Sequence, residues 1–248
     1  MPTVTQSRPR RRSAAAALLL LVLTGALPGG AAGASPSPLP SPAAPAVREG
    51  TLPAEGGPVE PGTYQDWSLG QTLTFTLDDG WAATAADAGY GLALLRRDQA
   101  APALVSIAPF TGLAHRDPCL ATSEETIEIE PTAAGLAAEL AANPSLIVGP
   151  PEEREVAGFP ALHVEVGIQQ PMACEPPVTS IWAIPPEGAF FLEDGEEAGF
   201  TIVETDAGVL VIAVEAYPGA DYAALVAAAE PLIASLEIGP APSPAPGG

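Results

Sequence analysis

Between Tyr64 and Gly239 the apolar positions of this chain recur mostly with a period of two, the pattern of strands with one buried face. Thr72–Leu77 alternates strictly and sets Leu73, Phe75 and Leu77 on one side. Asp78-Asp79-Gly80 has turn composition, and Trp81 follows it. Tyr90–Arg96 and Ala103–Ala108 predict two further strands, joined through Asp98–Pro102 as a hairpin. Thr126–Glu130 alternates isoleucine with glutamate and stops at Pro131. Arg154–Val156 and Ala161–Ile168 predict a hairpin around Ala157-Gly158-Phe159-Pro160. Val178–Ile184, Phe190–Leu192 and Gly199–Glu204 add strands, the last two separated by the turn Glu193-Asp194-Gly195. Val209–Val214 is apolar on both sides, which predicts a place in the sheet centre with both faces covered.

Two segments change to helical period. Ala133–Ala142 carries Leu136 and Leu140 four apart, with Thr132 as N-cap and Asn143-Pro144 as the stop. Tyr222–Leu236, capped by Asp221, places Leu225, Ala229, Leu232 and Leu236 on one stripe. Pro231 lies inside it and predicts a kink near Ala227, whose carbonyl loses its partner. The fold class expected is therefore α+β: a mostly antiparallel β-sheet with two principal helices packed on it, in a single domain over residues 64–239.

The ends of the chain read differently. Arg8, Arg10, Arg11 and Arg12 precede an uncharged run, Ala14 to Leu27, and then Ala32-Gly33-Ala34 before Ser35. This is the order of a secretory signal peptide over residues 1–34. The apolar run falls short of the roughly 20 residues a bilayer span needs, so cleavage is favoured over an uncleaved N-terminal membrane anchor, the alternative. No cysteine lies between Leu23 and Ser35 to accept a lipid. Residues 35–63, rich in Pro, Ser, Ala and Gly, read as a disordered linker, and 240–248 as a disordered Pro-rich tail. The expected location is secreted, on the cell-wall side of the membrane, with no stable membrane span once the signal is removed.

Charge narrows the partners. All nine basic residues are Arg, against thirty acids, and the formal net charge is −21. Four of the nine Arg and none of the acids precede Ser35, so the mature chain carries −25. Such a field repels nucleic acid and anionic lipid and favours a soluble monomer. Cations and basic surfaces are the electrostatically allowed partners. Cys119 and Cys174 are the two cysteines, and in an oxidising compartment they read as one disulfide.

Catalytic motifs are missing from the sequence. There is no G-x-S-x-G, and His115 and His163 are the only histidines. His163/Glu165 and His115/Asp117 each have the two-residue spacing that shares a strand face and could hold a metal. A strand histidine beside a solvated glutamate is the commoner meaning of that spacing. Glu193, Asp194, Glu196 and Glu197 surround Gly195, an oxygen-rich turn that could take Ca²⁺ weakly, although a solvated hairpin tip explains it as well. Of the three tryptophans, Trp81 and Trp182 are expected in the core. Trp67 is expected to be exposed and is the candidate ligand-binding residue, lining a pocket between sheet and helix.

Several short segments carry a resemblance: Pro61-Gly62-Thr63-Tyr64, Gly80-Trp81, Pro144-Ser145-Leu146-Ile147-Val148, Val156-Ala157-Gly158-Phe159-Pro160-Ala161, Ile233-Ala234-Ser235-Leu236 and the cysteine pair. With these the chain resembles a group of exported proteins of actinobacteria and neighbouring phyla and, more distantly, the PsbP-like fold. That resemblance implies an antiparallel sheet with helices on its faces, and members that bind or stabilise partners and are mostly not enzymes. The functional expectation is a non-enzymatic domain that binds a protein partner or a small apolar ligand and needs no cofactor. The alternatives are an extracellular hydrolase built on paired acids and a Ca²⁺-stabilised structural module.

Overall fold

The computed structural model describes residues 47–48, 52–53, 55–85, 91–119, 125–172, 174–184 and 188–240. The expected signal peptide, most of the expected linker and nearly all of the expected tail lie outside these residues. In chain order the first strands are β1 (Val47–Arg48), β2 (Glu55–Pro58), β3 (Gly62–Asp66), β4 (Thr72–Leu77), β5 (Trp81–Ala85), β6 (Leu92–Arg96) and β7 (Ala103–Phe110). Then come β8 (Leu113–His115), β9 (Thr126–Glu128), the helix α1 (Ala133–Ala142), β10 (Leu146–Val148), β11 (Glu152–Val156) and β12 (Phe159–Ile168). The last are β13 (Val178–Ile184), β14 (Gly188–Glu193), β15 (Glu197–Thr205), β16 (Gly208–Ala216), α2 (Tyr222–Ala234) and β17 (Glu237–Gly239).

The principal sheet is antiparallel and runs β10-β12-β15-β16-β7-β6-β5-β2, with β11 pairing the same edge of β12 as β10. A second sheet runs β1-β3-β4-β17, in which only β1 and β3 are parallel. β13–β14 and β8–β9 form two-stranded sheets. The α+β expectation holds at this level: mostly antiparallel sheet with two helices packed on it.

β16 shows why the principal sheet is covered twice. Leu210, Ile212, Val214 and Ala216 point into one core, together with Leu73, Phe75, Leu77, Leu225, Ala229 and Leu232 from β4 and α2. Val209, Val211 and Ala213 point into the other, with Leu136 and Leu140 of α1 and Ile181, Trp182 and Leu192 of β13–β14. Each face thus supplies apolar surface that only a separate layer removes from water, and α1 and α2 lie on opposite sides. Trp81 and Trp182 are buried, as their positions predict. Trp182 stacks on Phe190 at 4.2 Å, and Phe200 meets both rings edge-on.

The helix ends follow the sequence closely. The Thr132 hydroxyl accepts from the Gly135 N–H at 3.0 Å, and the Asp221 carboxylate from the Ala224 N–H at 3.0 Å. α2 continues through Pro231, ends two residues before the expected Leu236, and is pinned there because the Thr76 N–H donates to Ser235 Oγ at 2.8 Å.

Three expectations need correction. β1, β2 and β3 lie within or across the stretch read as linker: β1 pairs with β3, β2 with β5, and β3 with β4. Glycine and proline hid these strands, because their ladder partners stand outside the local window. The turn between β11 and β12 is two residues, Ala157-Gly158, both at positive φ (54° and 83°). Phe159 and Pro160 belong to β12. Finally, β14 and β15 are not a hairpin; the chain passes through the acidic turn from one sheet to another.

Candidate functional site

On the α2 side of the principal sheet, α2 faces the β11–β12–β15 corner. A cavity of about 400 Å³ lies between them. Its apolar wall includes Val156, Val214, Val226, Ala229 and Ile233, and its polar residues include Arg154, His163, Glu165, Thr201, Tyr222 and Glu230. Strand alternation and register explain the placement. His163 and Glu165, two apart on β12, face α2 together, and the antiparallel ladder sets Thr201 opposite His163 and Gly199 opposite Glu165.

These side chains form one connected chain of hydrogen bonds. Glu165 Oε1 lies 2.9 Å from His163 Nε2, and Glu165 Oε2 accepts from the Tyr222 hydroxyl at 2.6 Å. A carboxylate only accepts, so Nε2 carries the proton. In the neutral ring Nδ1 then accepts from the Thr201 hydroxyl, 3.0 Å away. Burial, with donation to Glu165 adding to it, pushes the Tyr222 phenol up, so its proton stays in place at neutral pH. His163 is buried, whereas the Glu165 side chain is 54% exposed at the mouth.

Gly199 makes room for this network. A Cβ there would stand 2.5 Å from the Tyr222 hydroxyl and 3.2 Å from His163 Cε1. Ala157 also lines the cavity, in the left-handed conformation that costs an alanine about 1–2 kcal/mol. Tyr222, Thr201 and Gly199 could not be singled out in the sequence, since only strand pairing and the return of α2 bring them to His163.

The sequence-derived candidates are scattered by comparison. Trp67 is 44% exposed, as expected, but does not line the cavity. Cys119 and Cys174 are bonded, and the Cys119 N–H donates to Asp117 Oδ1. His115 is buried and lies 2.8 Å from Ser180 Oγ through Nδ1, so His115 and Asp117 serve different partners; burial lowers the His115 pKa.

The acidic turn is not simply a solvated tip. Glu193, Asp194 and Glu197 are exposed, but Glu196 is 1% exposed and turns inward. Its Oε2 accepts the Glu193 N–H at 2.9 Å, while Oε1 has no partner. Among the described residues no group of three or more His, Cys, Asp or Glu is arranged to hold a metal ion. Glu196 is instead near the buried Glu215, which accepts from the Ser106 hydroxyl at 2.8 Å. Burial first, and the neighbouring carboxylates second, push Glu196 up to about 8; burial pushes Glu215 up to about 7.

Among the described residues no helix is long and apolar enough to cross a membrane. No protein-family model matches the chain, and no curated protein matches it either.

Proposed function

We propose that the chain is an exported, non-enzymatic domain of PsbP-like type, akin to the exported actinobacterial proteins it resembles, and that it binds a small ligand beneath α2. The observation that carries this reading is the cavity: concave, half of its lining residues aliphatic, with His163, Glu165, Thr201 and Tyr222 held in fixed orientation by hydrogen bonds. The Cys119–Cys174 bond supports the exported location, because disulfides persist in oxidising compartments.

Fragment screening by heteronuclear NMR on the full chain tests the reading. Small apolar probes are expected to shift resonances of Val156, Thr201, Val214 and Tyr222. V226W, a rim substitution at a position 38% exposed, is expected to abolish those shifts, and W67A to leave them intact. Shifts clustered at Trp67, or scattered over the surface, overturn it.

The hydrolase alternative has less support. Among the described residues Glu196 and Glu215 are the acids with raised pKa values, yet they are 1% and 5% exposed, so neither carboxylate is presented to a substrate. A Ca²⁺ module would need the acidic turn to converge on one point, and Glu196 turns away from its exposed neighbours.

A further inference from the structure

We infer that the cavity beneath α2 selects a small organic cation, an ammonium group on an apolar body, and this inference rests on the small-ligand reading above. The argument is an inventory of donors and acceptors. Both nitrogens of His163 are engaged, one with Glu165 and one with Thr201. The Tyr222 proton is given to Glu165, and the Thr201 proton to His163. Arg154, 47% exposed at the same cavity, gives one N–H to Glu152 at 3.4 Å. The donors nearest Glu165, those of His163, Thr201 and Tyr222, are therefore committed inside the protein.

Acceptors remain. Glu165 has lone pairs to spare beyond its two hydrogen bonds and is about half exposed at the mouth. Glu230 lines the same cavity, so a second carboxylate accompanies Glu165 there. A ligand that fits must bring its own N–H donors, or a positive charge, next to Glu165, and an apolar body for Val156, Val214 and Ile233. The whole-chain charge of −21 acts in the same sense, attracting cations and repelling carboxylate ligands. The volume suits a single short chain or one ring and is too small for a two-chain lipid.

The test compares three probes of one skeleton: hexylamine, protonated at neutral pH, 1-hexanol and sodium hexanoate. Affinities are read from NMR shift titrations of the full chain. Hexylammonium is expected to bind roughly fivefold more tightly than hexanol, the scale of a partly exposed ion pair, and hexanoate more weakly than either. The ammonium preference is expected to shrink as salt rises from low to about 0.5 M and to vanish in E165Q. E230Q keeps the test open if E165Q fails to fold, and is expected to reduce the preference in part. Equal binding of hexanol and hexylammonium, or tighter binding of hexanoate, overturns the cation inference and leaves the cavity reading standing. If none of the three probes shifts the cavity resonances, both fall.

Discussion

Gly199 lies directly beneath the Tyr222 hydroxyl: a methyl group at position 199 would come within 2.5 Å of the oxygen that donates to Glu165. G199A must therefore push Tyr222 away from Glu165 or open the sheet. A loss of about 1–3 kcal/mol is expected, the usual cost of overpacking. Y222F removes only the hydrogen bond and should cost about 1 kcal/mol. Urea denaturation measures both, and a G199A protein as stable as the parent would show that the corner yields freely.

Stability should fall as pH rises through neutrality. Glu196 and Glu215 hold their protons more tightly in the fold, at about 8 and 7, than in an unfolded chain near 4.5. Between those values the folded state binds more protons than the unfolded one, so the unfolding free energy decreases with pH. The contribution is complete below about pH 4.5 and gone above about pH 8, with an upper bound of about 8 kcal/mol for the pair. Exposed Glu193, the Tyr217 phenol, itself pushed up by burial, and the Ser106 hydroxyl are the other groups at this cluster. Melting temperature against pH should be highest on the mildly acid side, and E196Q should flatten the slope. A flat parent profile from pH 5 to 8 would refute the assignment.

The disulfide closes a separation of 55 residues. Loop entropy assigns it roughly 4 kcal/mol. The double variant C119S/C174S should lose about that much in urea denaturation, and reductant should have no effect on it while destabilising the parent. Equal stability of oxidised and reduced parent would contradict this.

Ala157 occupies the first position of a two-residue hairpin turn at φ 54°, where asparagine is favoured. A157N should gain about 1 kcal/mol by relieving the left-handed strain. Because Ala157 lines the cavity, the same variant tests whether the strain serves binding: unchanged affinity for a cavity ligand would show that it does not.

Local order determined a good part of this protein. β4 and α1 have the bounds that alternation and caps predict, and Val209–Val214 is covered on both faces because residues apolar on both sides have nowhere else to go. Trp81 and Trp182 also lie where their neighbours indicate, and the two cysteines pair as their even number in an oxidising compartment predicts. The tertiary structure alone decided the rest. β2 and β3 are strands because ladders from β5 and β4 reach them, despite their glycines and proline. Glu196 is buried because β14 and β15 belong to different sheets, which turns one acid of four inward. The site exists because α2 returns across the sheet and brings Tyr222 to Glu165, 57 positions earlier. Periodicity and capping act over one or two turns of chain, whereas register and layer packing are settled by burial summed over the whole domain, and the cavity depends on the second kind.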